Sequence, residues 1–96
     1  MTRHAFLGSG QHSAKWLGEY DAQWDDFRRS IVATVEMSMF GFNLAGADVC
    51  GYSYGNMFDM ELCENWIRAS AMSPMMKLSF ETGDIDDVIF YNIFKL

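Results

Sequence analysis

A strand-like segment, a glycine-rich turn and a helix start follow one another near the beginning of the chain, and this succession constrains the fold most. The apolar residues at 5–7 close a predicted strand over 3–7, which Gly8-Ser9-Gly10 would break. The chain continues with Trp16-Leu17-Gly18-Glu19 shortly before a helical pattern begins. Gly18 gives the backbone conformations that a side chain would forbid. The succession therefore predicts a β/α unit with a site-like turn.

The first helix is predicted to begin at Asp21 and to end at Gly41. Asp21 is suited to the N-cap, Asp25 and Asp26 place negative charge in the first turn, and Gly41 is suited to a C-terminal cap. Apolar residues recur at three- and four-residue steps, which predicts a buried stripe. The stripe consists of Trp24, Phe27, Ile31, Val35 and Met39. We expect it to pack against the next strand, with the charged face of the helix outward.

A second β/α unit is predicted downstream. Residues 42–49 form a short apolar run flanked by glycines, as expected of a buried parallel strand. A second helix is predicted over 57–72, with Asn56 as its N-cap and Pro74 just beyond its end. Its buried stripe would contain Met60, Cys63, Ile67 and Ala71.

Several motifs, in the right order, resemble the family-31 glycoside hydrolases, which include the α-glucosidases. In that family a strand ending in Arg precedes a glycine-rich turn and a Trp-x-Gly-Asp motif, and a Gly-Ala-Asp-(Ile/Val)-Cys-Gly strand follows. This sequence contains the corresponding features in the same order. They are Arg3, the Trp-Leu-Gly-Glu motif at 16–19 and the Gly-Ala-Asp-Val-Cys-Gly motif at 46–51. A later family motif, Glu-Leu-Cys-x-x-Trp-x-(Arg/Gln), matches residues 61–68, so the resemblance covers about Thr2 to Pro74.

The resemblance implies an α/β fold. The family's catalytic domain is a (β/α)₈ TIM barrel, which needs roughly 250 residues. A chain of 96 residues is therefore expected to be a fragment with about two β/α units and a divergent tail. We expect residues 1–77 to be the barrel part and 78–96 the tail, in which 88–94 would form a strand.

The resemblance also implies roles for four residues. Glu19 occupies the position of the family's acid/base Asp, so its implied role is proton donation to the leaving oxygen. Arg3, Trp16 and Asp48 would bind substrate, with Trp16 offering a flat face on which a sugar ring can stack. Without the motif context, Arg3 is better explained as a solvated arginine near a chain terminus. Asp48, on spacing alone, could equally be a turn residue that caps Gly51.

The matching cysteines of many family members form a disulfide, so Cys50 and Cys63 are a disulfide candidate. The alternative is two buried free thiols, which the sequence leaves open. No zinc site is expected, because His4 and His12 lack supporting ligand spacing. The family needs no cofactor, and none is expected here.

The expected partner is an α-glucoside or related oligosaccharide. A retaining glycosidase needs a second carboxylate as nucleophile, and the family's Trp-x-Asp-Met-Asn-Glu-like motif does not occur in this sequence. The isolated chain is therefore expected to be inactive, because the rest of the barrel must complete the site. The alternative is a non-catalytic carbohydrate-binding or interaction remnant.

Charge and hydropathy argue against two other classes of protein, nucleic-acid-binding proteins and membrane-spanning proteins. The net charge is −6 with scattered basic residues, which argues against nucleic-acid binding. No apolar run reaches the roughly 18 residues of a membrane span. The parent family would place the intact enzyme in the secretory pathway, the lysosome or the lumen of the endoplasmic reticulum.

Overall fold

The structure is a computed structural model that describes residues 1–52 and 59–78. In this described part of the chain, two helices, α1 (Trp24–Met39) and α2 (Met60–Ser70), accompany four two-residue strands and one 3₁₀ turn (Ser9–Gln11). The strands are β1 (Lys15–Trp16), β2 (Ala45–Gly46), β3 (Asp48–Val49) and β4 (Lys77–Leu78). The predicted strand at 88–94 lies outside the described residues.

The described strands pair in parallel. Thr2 bridges Lys15, β1 pairs with β2 in the register Lys15 to Ala45, and β3 pairs with β4 in the register Asp48 to Lys77. Residues 45–49 therefore lie between the first strand and the last. Parallel neighbours joined through a helix are the βαβ arrangement, so the predicted α/β character is confirmed.

The predicted strand over 3–7 is wrong. Strand pairing stops at Thr2, and the side chains of Phe6 and Leu7 are 89% and 93% exposed. The strand of this first unit is Lys15–Trp16 instead, after the glycine-rich turn. The apolar triplet at 5–7 resembles a strand in composition, but the described residues provide no neighbour for it.

The helix α1 begins three residues after its predicted start. Gln23 is the N-cap, and Asp21 instead donates its backbone N–H to the Asp26 carboxylate. The C-terminus follows the prediction, because Gly41 has a φ of 89° just past the helix. The N–H groups of Gly41 and Phe42 bond the carbonyls of Ser38 and Met37, which is a Schellman cap.

The helix α2 begins at Met60, so the predicted start at 57 is wrong. Its N-cap is Asp59, whose carboxylate accepts the backbone N–H of Leu62, whereas Asn56 lies outside the described residues. The buried face differs from the predicted stripe, since Ala71 is exposed and Met60 half-buried. The residues of α2 that are buried are Leu62, Cys63, Trp66, Ile67 and Ser70.

The core lies between α2 and the end of the central segment. It contains Val49, Cys50, Leu62, Cys63, Trp66 and Ile67, with Phe27 of α1 packed against it at 5.4 Å between the ring centroids of Phe27 and Trp66. The rest of the predicted α1 stripe is exposed, with Val35 at 60% and Met39 at 83%. Within the described residues, α1 does pack on the next strand, β2, as expected, but the residue that it buries is Ser30. Of the predicted stripe, Phe27 reaches the core, and the expected burial of Ile31, Val35 and Met39 is wrong.

Candidate functional site

The carboxyl ends of the strands meet at one edge, as they must in a parallel arrangement. Trp16 ends β1, Arg3 follows the bridge at Thr2, and Asp48, the first residue of the short strand β3, lies two residues beyond the end of β2. Ligand sites of parallel α/β folds lie at this edge. The structure thus brings three predicted site residues to the edge where a site is expected.

Asp48 forms the centre of this cluster. Its side chain has no solvent exposure, and its Oδ2 accepts the indole N–H of Trp16 at 3.2 Å. The ammonium of Lys77 forms an ion pair with Oδ1. A buried carboxylate requires such partners, because desolvation of a charge is costly without them.

Two cations lie near the Trp16 ring. The Lys77 Nζ is 5.1 Å from the ring centroid, and the Arg3 Cζ is 5.7 Å from it. Both distances permit a cation–π attraction. The Arg3 guanidinium also lies over Gly18, where an added Cβ would be 3.3 Å from Arg3 Nε. Gly18, with a φ of 97°, therefore makes room for Arg3 beside Trp16.

Glu19 follows the end of β1 by three residues but lies outside this cluster. Its side chain is exposed, and it forms no hydrogen bond or ion pair with residues 1–52 or 59–78. Solvent access suits a group that exchanges protons. Its proposed role requires a leaving-group oxygen within hydrogen-bond reach.

A disulfide anchors the chain directly after Asp48. Cys50 and Cys63 are bonded, which links the end of the central segment to α2. Cys50 has a φ of 68° and Gly51 one of 85°, and the Gly51 N–H bonds the Asp48 carbonyl to close a tight turn. This turn fixes the backbone of Asp48 from its carboxyl side.

Tyr20 connects the site edge to the core. Its backbone carbonyl accepts the N–H of Tyr52, and its side chain packs against the core cluster. Burial raises the pKa of the Tyr20 phenol, and the negative charges of Asp26 and Glu36 raise it further, while Arg29 opposes them. The phenol therefore stays protonated to higher pH than a solvated tyrosine.

A second concave surface lies between α1 and α2. This groove has a volume of about 250 Å³, and Phe27, Ile31, Val35, Ala47 and Trp66 are among its lining residues. Across the described part of the chain, no three His, Cys, Asp or Glu side chains are close enough to hold a metal ion. None of the helices described here has the length and apolar character needed to cross a membrane.

Lys77 was not among the predicted site residues. It lies on β4, opposite Asp48 in the strand register, and therefore joins the site through pairing alone. No local pattern marks it, because its partner Asp48 lies 29 positions away in the sequence.

Comparison with known proteins identifies the family. The family described as the glycosyl hydrolases family 31 TIM-barrel domain matches residues 1–91. This match includes most of the segment 78–96, and the boundary at residue 77 stays a prediction.

Individual relatives agree with this match. Probable maltase-glucoamylase 2 of Homo sapiens is 41% identical over 75 residues, which are 78% of this chain and 3% of that protein. Intestinal sucrase-isomaltase of Homo sapiens is 40% identical over 80% of this chain and 4% of its own length. An alpha-glucosidase of Hordeum vulgare is 39% identical over 80% of this chain and 9% of its own length. The chain thus spans less than a tenth of these relatives, and it belongs to glycosyl hydrolase family 31.

Proposed function

We propose that this chain forms part of the sugar-binding face of a family-31 barrel, and that the intact enzyme hydrolyses α-glucosidic bonds with retention. The convergence of Arg3, Trp16 and Asp48 at the carboxyl edge of parallel strands supports this proposal. The relatives named as an alpha-glucosidase, a sucrase-isomaltase and a maltase-glucoamylase supply the substrate class.

Each side chain has a chemistry suited to this role. The Arg3 guanidinium has five N–H donors for sugar hydroxyls, and the half-buried Trp16 ring offers an apolar face. Asp48, which is fully buried, holds the Trp16 indole in place. Glu19 would donate its proton to the leaving oxygen and later take a proton from the attacking water.

The intact enzyme also needs a nucleophilic carboxylate about 5–5.5 Å from the acid/base group. Asp48 is a poor substitute, because its two oxygens are engaged by Trp16 and Lys77. Without the nucleophile motif, the 96-residue chain is expected to bind sugar weakly and to leave p-nitrophenyl α-D-glucopyranoside intact. Hydrolysis above the buffer background would contradict this assignment of roles.

A titration of the ¹⁵N-labelled chain with methyl α-D-glucopyranoside tests the proposal. The indole N–H resonance of Trp16, assigned with Trp16→Phe, is expected to shift with a dissociation constant on the order of 1–10 mM, about −3 to −4 kcal/mol. The indole of the buried Trp66 serves as the internal control and should not move. Identical behaviour of the two indoles would refute a sugar site at Trp16.

Of the two kinds of remnant, the interaction remnant predicts a different result, whereas a carbohydrate-binding remnant would shift the Trp16 indole as well. The exposed stripe of α1, including Ile31 and Val35, favours a surface that contacts another polypeptide. If that were the chain's main role, the sugar would shift neither indole.

A further inference from the structure

We propose that Lys77 is a positioning residue of this site: its ammonium holds the Asp48 carboxylate as the acceptor of the Trp16 indole N–H, and so fixes the orientation of the Trp16 ring. The predicted effect of replacing Lys77 on sugar affinity rests on the proposed function above. Its predicted effect on the orientation of the Trp16 indole is independent of that function.

The two oxygens of the Asp48 carboxylate contact different side chains. Oδ1 of Asp48 receives the Lys77 ammonium, and Oδ2 receives the Trp16 indole N–H at 3.2 Å. Because the Lys77 ammonium contacts one oxygen and the Trp16 indole the other, rotation of the carboxylate about its own axis breaks both of these contacts. The side chains of Lys77 and Trp16 are therefore coupled through Asp48.

Lys77 also contacts the ring that it orients. Its Nζ lies 5.1 Å from the Trp16 centroid, so one ammonium attracts both the carboxylate and the indole. The strand register supports this arrangement, since β4 places Lys77 directly beside Asp48. The Lys77 side chain keeps 29% of its surface exposed, whereas that of Asp48 keeps none. Lys77 is thus the member of this pair that solvent, or a sugar hydroxyl, can reach.

Removal of the ammonium leaves the buried carboxylate without this cation. The carboxylate is then expected to turn toward water at the position that Lys77 vacated, because solvation replaces the lost ion pair. That rotation withdraws Oδ2 from the indole N–H, and the Trp16 ring loses the contact that sets its angle.

The test compares the Trp16 indole resonance of the ¹⁵N-labelled 96-residue chain with those of three variants. Lys77→Met is expected to move that resonance by several line widths and to speed hydrogen exchange of its N–H about tenfold, as the loss of one hydrogen bond implies. Lys77→Arg keeps the charge and should stay close to the wild type. Arg68→Met, which removes the cation of the exposed Arg68–Glu64 pair, is the matched control and should leave Trp16 unchanged.

A purely structural role for Lys77 predicts another pattern. Lys77→Met would then lower the urea midpoint, while the Trp16 resonance and exchange rate of the folded protein stayed at their wild-type values. That result overturns the proposal. If Lys77→Met does not fold, Lys77→Gln keeps a donor without the charge, and an unchanged Trp16 signal in that variant overturns the proposal equally.

The sugar titration separates this proposal from the proposed function. Lys77→Met should weaken methyl α-D-glucopyranoside binding about fivefold to tenfold, the value of about one hydrogen bond, and Lys77→Arg should restore it. Equal affinities of the wild type and Lys77→Met refute a positioning role in sugar binding. If the wild type binds no sugar, the proposed function fails, and the indole resonance alone decides whether Lys77 positions Trp16.

Discussion

Replacing Gly51 by alanine is expected to destabilise the fold by about 3 kcal/mol, a sum of two separable costs. Gly51 has a φ of 85°, and a side chain in this left-handed region costs about 1–2 kcal/mol. An added Cβ would also lie 2.7 Å from the backbone nitrogen of Ala22 and 2.8 Å from its Cα. Because backbone cannot yield as a flexible side chain does, the forced contact adds about 1–3 kcal/mol.

Two other glycines separate these costs. Gly41 has a similar φ of 89°, but a Cβ there would have nothing within 4 Å, so Gly41→Ala should cost only about 1–2 kcal/mol. A Cβ on Gly46 would lie 2.3 Å from the carbonyl oxygen of Met75, without a positive φ. Gly46→Ala therefore measures the steric cost alone, about 1–3 kcal/mol.

Urea denaturation at 25 °C, followed by tryptophan fluorescence, measures all three variants. For a slope of about 1–1.5 kcal/mol per molar urea, Gly51→Ala should lower the midpoint by about 2–3 M, and Gly41→Ala by about 1 M. Equal midpoints for these two variants would refute the close approach of Ala22 to Gly51. The turn after Asp48 would then not be held against the segment that follows the Trp-Leu-Gly-Glu motif.

The remaining predictions concern stability, pH and catalysis. Converting Cys50 and Cys63 to serine should cost about 3 kcal/mol on the chain-entropy model, and dithiothreitol should lower the urea midpoint of the wild type but not that of the double variant. Asp59→Ala removes the N-cap of α2 and should cost about 1 kcal/mol in the same urea assay. Above pH about 10 the unfolded chain loses the Tyr20 proton first, so stability should fall with rising pH. Tyr20→Phe should lessen that fall, and an unchanged slope would contradict a raised pKa. No α-glucoside hydrolysis is expected from the isolated chain, whether or not Glu19 is replaced by Gln.

Local signals predicted the helices well and their starts poorly. Gly41 ends α1 as predicted, because a glycine with positive φ satisfies a cap that depends on local sequence alone. Asp21 was misplaced because three acidic residues lie near the start of α1, and Asp26 reaches back to the Asp21 backbone. Several acidic residues near a helix N-terminus can each be proposed as the N-cap, and only the backbone conformation in the structure shows which residue occupies that position.

Strand positions were harder to predict from the sequence, because a segment forms a strand only where a distant segment pairs with it. The exposed apolar triplet that includes Phe6 and Leu7 has the composition of a strand without a neighbour, whereas Lys15 and Trp16 have two neighbouring segments. Lys77 was missed for the same reason. Its partner Asp48 is 29 positions away, and no local pattern reveals that register.

The exposed stripe of α1 has a related explanation. Periodicity correctly marks Ile31, Val35 and Met39 as one apolar face, but periodicity does not identify what covers that face. Within the described residues, Phe27 reaches the core, α1 also packs on β2, and Ile31 and Val35 line the groove beside Phe27. The chain spans less than a tenth of the relatives compared above.

If the strand edge around Trp16 is the sugar-binding face, intermolecular nuclear Overhauser effects between methyl α-D-glucopyranoside and the labelled chain should reveal it. We expect contacts from the sugar ring protons to the Trp16 indole and to the Arg3 side chain. Contacts to Phe27 and Trp66 in the groove between α1 and α2, with none to Trp16, would contradict it.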